Sequence, residues 1–391
     1  MKIALVLDQF NIKRGGAERS TAEMAAALAG LGAQVSILAH KVMLDGAREL
    51  PFAVRQVPVR ALTRRGRAQA FEKALAAIRQ NREYDIVQSI VPFPAADIYQ
   101  PRGGSQLHAL DRHLATYPEP ARSLKHLSAP LNRARAWRLQ RERLVATGAE
   151  GPIIACPSDY VRRQFSNLYG TPPERLRLIR NGVNIERFRD EETRARGRRL
   201  RQHFDPDGKL ALFLFAAEDY RRKGLAPLLA GAHRALQLHT DQRDFRILVF
   251  GRENYSAYYR QAEKLHLRGK VLFMGATAEI PALITMSDAV ILPTWEDACS
   301  RLVLEALAAG RPAITTRDNG AAEFLGENEF GHVIDTPASR EQMALALLDL
   351  CHLDKQTQMC RKIEQARLHE QVSMARHAAE LMELYKNFTG R

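Results

Sequence analysis

The chain of 391 residues lacks the features of a membrane-spanning or disulfide-rich protein. No uninterrupted apolar run approaches the roughly 20 residues that a bilayer-spanning helix needs. The four cysteines, at positions 156, 299, 351 and 360, show neither metal-ligand nor disulfide spacing, which favours a reducing cytosol. The opening segment Met1–Asp8 is short and ends in an acid, so we expect a buried strand there and not a signal peptide.

Several recognition signatures are also missing. The chain has no G-x-G-x-x-G fingerprint, which disfavours a nicotinamide cofactor. It has no RNA-recognition, zinc-finger or helix-turn-helix signature either. The composition, 46% hydrophobic and 26% charged, is that of a globular protein. Because the chain is too long for one ordinary core, we expect two domains.

Acidic residues are scarce in one half of the chain only. Residues 1–180 contain 28 Lys and Arg against 15 Asp and Glu, whereas residues 181–391 contain 30 against 29. Almost all of the net charge of +14 therefore belongs to the first half. We expect that half to face something anionic, such as a membrane surface, a phosphorylated glycolipid or a nucleic acid.

Apolar strands alternate with amphipathic helical stretches, a pattern typical of parallel α/β sheets. The predicted strands lie near residues 2–7, 34–39, 54–59, 84–90 and 152–156, and then near 176–179, 209–215, 245–250, 270–274, 288–292, 312–316 and 331–334. The two series predict two Rossmann-like domains with a cleft between them. A final helical stretch over 356–388 has Met374, Ala378, Leu381 and Tyr385 on one face.

Two acids flank the most informative loop of the chain. The predicted strand at 289–292 leads into Asp297, and Glu305 lies one or two turns into a helix that stops at Gly310 before another apolar strand. In such βαβ units a ligand lies beyond the carboxyl ends of the strands, so both acids can address one ligand. The backbone N–H groups that open the helix suit an anion; they belong to Ala298, Cys299, Ser300 and Arg301.

Two cations follow another predicted strand of the second half. Arg222 and Lys223 lie in the loop after the strand 210–215 and just before an apolar helix. Fixed cations at a strand tip can balance a diphosphate leaving group without a metal ion. A solvated basic loop is the alternative.

Glycines predict close approaches of the backbone at four positions. Gly15 and Gly16 follow the first strand and can take positive φ. Gly251 and Gly275 follow two strands of the second half. A structural turn is the alternative for each of them.

In the first half, Asp97 follows the predicted strand 86–90, where a carboxylate could either take a proton from a reacting hydroxyl group or hold a hydroxyl group of a ligand by a hydrogen bond. A turn-forming role is the alternative, and His108 and His113 are further candidates. The basic run 133–144, with Trp137 among its arginines, is interpreted either as a membrane-interface helix or as a helix that covers the first domain.

These motifs together resemble family 4 glycosyltransferases, and most closely the lipopolysaccharide core glucosyltransferase I group. Asp297 and Glu305 have the spacing of the family's E-x-x-x-x-x-x-x-E motif, with Asp in place of the first Glu; Glu296 would give the wrong spacing. The resemblance extends to R-K-G at 222–224, to N-G-V-N at 181–184, to D-I-Y at 97–99 and to the F-x-G loop that ends at Gly275.

The resemblance implies a GT-B fold, with two Rossmann-like domains facing across a cleft. Residues 1–172 would bind the acceptor, completed by a C-terminal helix at about 370–391, and residues 173–369 would bind the nucleotide sugar. It also implies a retaining hexosyltransferase that needs no metal ion and no cofactor. The donor would be UDP-glucose, and the acceptor a glycolipid, a lipopolysaccharide core or a polysaccharide precursor. The enzyme would be cytoplasmic and bound peripherally to the anionic inner face of the membrane.

Each site residue receives a role by the same resemblance. Arg222 and Lys223 would stabilise the departing diphosphate, and Asp297 would hold the sugar. Asp97 completes the catalytic set, and Glu305 would hold the ribose. The remaining donor-binding residues are Gly15, Gly16, Gly251, Gly275, Ala298, Cys299, Ser300 and Arg301.

Two other functions stay open from the sequence. A sugar epimerase of similar fold would act on a nucleotide sugar without an acceptor, but it would need no basic first half. A basic nucleic-acid-binding protein agrees with the pI of about 9.9, although the missing signatures lead us to expect no nucleic acid partner. GDP-mannose, UDP-GlcNAc and UDP-galactose remain possible donors.

Overall fold

The computed structural model describes residues 1–11, 16–43, 49–128, 132–238 and 243–390. The chain forms two compact units, Met1–Gly182 with Met374–Arg391, and Val183–Ser373. The strands are β1 (Lys2–Asn11), β2 (Gln34–Met43), β3 (Ala53–Gln56), β4 (Ile86–Ser89), β5 (Ile98–Tyr99), β6 (Ile153–Cys156), β7 (Leu176–Leu178), β8 (Leu210–Ala216), β9 (Asp244–Phe250), β10 (Val271–Gly275), β11 (Ala289–Leu292), β12 (Ala313–Thr316) and β13 (Gly331–Ile334).

Helices alternate with these strands through both units. They are α1 (Gly16–Gly30), α2 (Arg64–Gln80), α3 (Gln106–Ala115), α4 (Ala121–Ser128), α5 (Arg133–Thr147), α6 (Asp159–Tyr169), α7 (Glu186–Arg189), α8 (Glu191–Phe204), α9 (Leu225–Leu238), α10 (Ser256–Lys264), α11 (Ile280–Met286), α12 (Arg301–Ala308), α13 (Arg340–Cys351), α14 (Leu353–Gln365), α15 (Leu368–Gln371) and α16 (Met374–Thr389). Within the described segments, none combines the length and the apolar character that crossing a bilayer requires.

The first unit is built on a parallel sheet of order β3-β2-β1-β4-β5-β6-β7. Its central strand β1 is buried on both faces. Ile3 and Leu5 pack into one core, and Ala4 and Val6 pack into the other. Strands buried in this way need apolar side chains on both faces, which explains the continuous apolar run at the start of the chain.

The last helix, α16, returns to the first unit. Its buried residues Met374, Leu381 and Tyr385 join the same core as Ile3 and Leu5. A buried polar network also holds it. The Tyr385 hydroxyl donates to Gln88 at 2.7 Å, and the Gln88 amide donates to Gln100 at 3.2 Å. The helix thus covers β4 and β5 with both apolar and hydrogen-bonded contacts.

The boundary between the units differs from the predicted one. Residues 176–179 were assigned to the second series of strands, but β7 pairs in parallel with β6 and forms the edge of the first sheet. The first unit therefore continues to Gly182 and not to 172. Hydrophobicity alone predicts that a strand exists there, but it does not show which sheet the strand joins.

The second unit contains a parallel sheet of order β10-β9-β8-β11-β12-β13. Strands β8 and β11 lie at its centre and are almost fully buried. Helices α9 and α13 pack against the sheet through apolar residues such as Leu228 and Leu347. The predicted pair of parallel α/β sheets is confirmed. The strand that sequence reasoning missed, β5, has only two residues.

Candidate active site

The strand order of the second sheet defines its ligand-binding edge. β8 lies between β9 and β11, and the chain runs from β8 outward to β9 and β10 before it returns to β11 on the other side. Such a reversal is a topological switch point, where ligands bind beyond the carboxyl ends of the strands. The loops that follow β8 and β11, residues 217–224 and 293–300, therefore flank the candidate site.

The backbone of Arg222 fastens these two loops together. Its carbonyl oxygen accepts hydrogen bonds from the N–H of Trp295 at 2.9 Å and from the hydroxyl of Thr294 at 3.1 Å. Gly224 has a φ of +79°, and a Cβ there would stand 1.9 Å from the carbonyl oxygen of Pro293. Glycine is required at 224, because any other residue would combine a strained backbone with a clash.

Lys223 and Asp297 form an ion pair across this junction. Their side chains are only 15% and 18% exposed, so the attraction is screened less by water than that of a surface pair. Arg222 differs from its neighbour, since its side chain is 44% exposed and its Nε lies 3.9 Å from the carboxylate of Asp219. The structure thus brings together a cation and an acid that the sequence assigned to one donor.

The loop after β12 holds the backbone of Asp297 in place. The N–H of Asp297 donates to the carbonyl oxygen of Asp318 at 2.9 Å, and the N–H of Gly320 donates to the carbonyl oxygen of Asp297 at 2.9 Å. The bonds form a short parallel bridge between Asp297 and Asn319. Sequence reasoning missed this third loop, whose signal is an Asn-Gly pair that begins three residues after the end of β12.

Two of the backbone N–H groups predicted to bind an anion already have acceptors within the chain. The N–H of Ser300 donates to the side-chain oxygen of Asn319 at 3.0 Å, and the N–H of Cys299 donates to the carboxylate of Asp297 at 3.2 Å. Helix α12 begins at Arg301 and not at Ala298. In this structure the N–H groups of Cys299 and Ser300 therefore brace the loop, and their contact with an anion stays a prediction.

Glu305 lies one turn into α12 and faces Arg301. The guanidinium of Arg301 is 3.4 Å from the carboxylate of Glu305, and the two side chains are 16% and 12% exposed. Both residues belong to the first turns of α12, which directly follows the loop that carries Asp297. Their predicted contacts with a donor stay predictions.

Glu296 is a further acid of this loop that the spacing argument set aside. Its side chain is almost completely buried, at 3% exposed, and its Oε1 has no hydrogen-bond partner among the described residues. Burial, and then the charge of Asp297, raise the pKa of the Glu296 carboxyl to about 7, against a smaller opposite effect of Lys223. The carboxyl therefore changes charge near neutral pH.

The glycines predicted to border the ligand differ in their surroundings. A Cβ on Gly251 would stand 2.1 Å from the carbonyl oxygen of Ala217 and 2.7 Å from the ring of Tyr220. The glycine at 251 therefore allows close packing against the loop after β8 and not against a ligand. A Cβ on Gly275, where φ is +74°, or on Gly16 would meet nothing within 4 Å. Gly15 lies outside the described residues.

Asp97 does not lie where the sequence placed it. It precedes β5, and so lies at the amino end of that strand, away from the edge where ligands bind in parallel sheets. Its carboxylate accepts from the N–H of Val87 at 2.8 Å and pairs with Arg79 at 2.8 Å. The predicted placement of Asp97 beyond the carboxyl end of a strand is therefore wrong, and the structure gives the acid a position that connects β4, β5 and α2.

Arg102 lies beyond the carboxyl end of β5 and was also missed. Its guanidinium donates to the hydroxyls of Ser20 at 2.7 Å and Thr21 at 3.3 Å near the start of α1, and to the side-chain oxygen of Gln100 at 3.1 Å. This arginine connects α1 to the sheet at the end where sequence reasoning had placed Asp97.

The basic run of the first unit forms α5. Arg141 pairs with Glu72 of α2, and Glu142 is buried, where its carboxylate accepts from the Tyr169 hydroxyl at 2.6 Å. Arg138 and Arg143 are exposed. One face of α5 therefore covers the unit, and the opposite face presents cations to solvent.

Solved structures share this architecture over nearly the whole chain. The crystal structure of WaaG, a glycosyltransferase involved in lipopolysaccharide biosynthesis, superimposes with a TM-score of 0.69 at 22% identity, covering 98% of this chain and 96% of that one. Anabaena HepE in complex with UDP and glucose superimposes with a TM-score of 0.70 at 15% identity, covering 98% and 99%. The fold is GT-B, as the sequence predicted.

The sequence comparisons define the family. Residues 198–369 match the model of glycosyl transferases group 1, and residues 14–187 match that of Glycosyltransferase Family 4. The chain therefore belongs to the GT-B glycosyltransferases, which confirms the resemblance drawn from the motifs. Curated relatives include the lipopolysaccharide glucosyltransferase WaaG of Escherichia coli K12, 24% identical over 84% of each chain. D-inositol 3-phosphate glycosyltransferase of Corynebacterium glutamicum is 25% identical over 60% of this chain and 57% of its own.

Proposed function

We propose that this protein is a retaining hexosyltransferase that moves glucose from UDP-glucose to a glycolipid, a lipopolysaccharide core or a polysaccharide precursor. The name of the relative WaaG supports the acceptor class, since it is a lipopolysaccharide glucosyltransferase. The HepE structures, solved with UDP and glucose or with UDP-glucose, support the donor. The residue motifs support the same reaction from this chain alone.

The observation that carries the proposal is the Lys223–Asp297 pair at the switch point of the second unit. A donor diphosphate beside the pair draws Lys223 toward its negative charge, and exposed Arg222 adds a second cation. Because the charge on the diphosphate grows as the glycosidic bond breaks, cations fixed at that place stabilise the transition state more than the bound donor.

The release of Lys223 also frees Oδ2 of Asp297. A carboxylate accepts hydrogen bonds and can therefore hold hydroxyl groups of the transferred sugar. Glu305, one turn further along α12, accepts from the ribose in this proposal. Two cations supply the charge balance, so the proposed reaction needs no metal ion and no cofactor.

The proposed place of action is the cytoplasmic face of a membrane. The excess of positive charge in residues 1–180 supports this, and the exposed arginines Arg138 and Arg143 of α5 belong to it. Each Lys or Arg close to an anionic surface contributes about 1 kcal/mol of binding. Peripheral attachment would place the enzyme beside a lipid-linked acceptor.

A thermal-unfolding panel over common nucleotide sugars tests the donor. A ligand at about 100 times its dissociation constant stabilises a protein by roughly 2.7 kcal/mol, which is readily measured as a rise in Tm. We expect the largest rise with UDP-glucose. A rise with GDP-mannose and none with UDP-sugars would overturn the proposed donor, and no rise with any nucleotide sugar would overturn the proposed function.

A further inference from the structure

Glu296 occupies an unusual position in the candidate site. Its carboxyl is buried, yet Oε1 has no hydrogen-bond partner among the described residues. Buried polar groups in folded proteins are nearly always paired, because leaving one unpaired costs free energy. An acid in this environment lowers the stability of the ligand-free protein. Contact with a bound ligand would give the unpartnered oxygen a hydrogen-bond partner.

The backbone holds this carboxyl in place. The Thr294 hydroxyl lies 2.8 Å from the carbonyl oxygen of Glu296, and the N–H of Glu296 donates to the same hydroxyl at 3.3 Å. Thr294 also contacts the carbonyl oxygen of Arg222, which joins the turn to the β8 loop. The acid is therefore positioned by its main chain, and its Oε1 is left for another partner.

The charges around Glu296 are those of the candidate donor site. Asp297 and Asp318 disfavour its ionised form, whereas Lys223 and Arg222 favour it. The carboxyl thus lies within electrostatic reach of the Lys223–Asp297 pair, at the edge of the sheet where a ligand binds. A bound diphosphate would add further negative charge and favour the protonated carboxyl.

We propose that Glu296 contacts the transferred sugar, and that its protonated carboxyl hydrogen-bonds a sugar hydroxyl. This inference rests on the proposed function and adds a specificity-determining residue to it. A neutral carboxyl can both donate to and accept from a hydroxyl, whereas the carboxylate only accepts. Ionisation would also place a second negative charge beside Asp297, near the donor diphosphate.

Calorimetric titration with UDP-glucose and with UDP separates the sugar contact from the nucleotide contacts. For Glu296→Leu we expect affinity for UDP-glucose to fall about 10- to 100-fold, the scale of one hydrogen bond to a buried carboxyl, while affinity for UDP changes less than about twofold. The matched control is Glu142→Gln, which alters a buried acid of the other unit that also has an unpartnered oxygen. It should change neither affinity.

The pH dependence supplies a second readout. We expect the affinity of the unaltered protein for UDP-glucose to fall as pH rises through about 7, the pKa of the Glu296 carboxyl. Glu296→Gln, which cannot ionise, should bind UDP-glucose without that dependence. If Glu296→Leu lowers the affinities for UDP-glucose and UDP equally, or if Glu296→Gln keeps the full pH dependence, the proposal is overturned. If the unaltered protein binds UDP but not UDP-glucose, the proposed function fails and this inference fails with it.

Discussion

Each unit places an aspartate–cation pair in a sheet whose first six strands follow the same order, but the two pairs lie at opposite ends of their strands. Asp97 precedes β5 and pairs with Arg79, whereas Asp297 follows β11 and pairs with Lys223. In a parallel sheet only the carboxyl end faces the ligand. The Asp97–Arg79 pair therefore stabilises the fold of the first unit, whereas the Asp297–Lys223 pair lies at the candidate donor site of the second.

The surroundings of the two pairs agree with this difference. The carboxylate of Asp97 also accepts from the backbone N–H of Val87, so it links neighbouring strands. The pair in the second unit lies beside a buried acid, Glu296, that has an unpartnered oxygen. An unpartnered buried oxygen also occurs at Glu142 of the first unit, so it is the position of Glu296 beside the Lys223–Asp297 pair that distinguishes the second.

The largest expected effect comes from removing both cations of the second unit. Arg222→Ala combined with Lys223→Ala should lower turnover on the order of 10²–10³, because it removes oriented stabilisation of the leaving group. Single-turnover transfer from UDP-glucose measures it. Arg221→Ala, an exposed neighbour in the same loop, is the matched control and should retain activity. Near-normal turnover of the double variant would contradict the placement of the donor site beside these two cations of the second unit.

The next effect concerns pH and stability. The pKa of Glu296 rises from 4.5 to about 7 on folding, so the folded protein binds this proton more tightly than the unfolded chain. The contribution to the unfolding free energy therefore falls as pH rises from about 4.5 to about 7, by about 3 kcal/mol in all. Denaturant unfolding at several pH values measures this loss against Glu296→Gln. Parallel curves for the two proteins would contradict it.

Much of the architecture could be predicted because buried parallel strands are apolar on both faces. The predicted strand near 288–292 corresponds to β11, and that near 331–334 to β13. β5 was missed because two residues carry no periodicity. Asp97 was misplaced for the same reason, since without β5 the acid is predicted to follow β4.

The candidate site could be predicted only in part. Lys223 and Asp297 were found because each follows a recognisable strand within a motif. Asn319 was missed because its role depends on a contact with Ser300, 19 residues away in the sequence. Glu296 was set aside by spacing, and its burial depends on packing that the sequence does not display.

A smaller effect tests the charge asymmetry of the two units. Replacing Arg138 and Arg143 of α5 by Gln should weaken binding to anionic vesicles by about 2 kcal/mol, or roughly 30-fold, at about 1 kcal/mol per charge. Vesicle flotation at several salt concentrations measures it. The control pair, Arg194 and Arg199 of α8, is equally exposed but belongs to the second unit. If both pairs of substitutions weakened vesicle binding equally, binding would depend on the net charge of the protein and not on the charge of the first unit.

The smallest effect separates the two aspartates. Asp97→Asn keeps an acceptor for Val87 but loses the charge that holds Arg79, whose side chain is 46% exposed. We expect the free energy of unfolding to fall by about 1 kcal/mol while turnover remains unchanged. Chemical denaturation and a transfer assay on the same preparation measure both quantities. A large loss of turnover without a loss of stability would restore Asp97 as a catalytic candidate.

Binding of UDP to variants of the Lys223–Asp297 pair tests the central claim most directly. If the diphosphate displaces Asp297 from Lys223, removing the charge of Lys223 and removing the charge of Asp297 must change the affinity for UDP in opposite directions. We expect Lys223→Ala to weaken UDP binding and Asp297→Asn to strengthen it, because the lysine is then released in advance. Calorimetric titration of both variants measures the change. A loss of UDP affinity in Asp297→Asn equal to that in Lys223→Ala would contradict the assignment of this pair to the donor diphosphate.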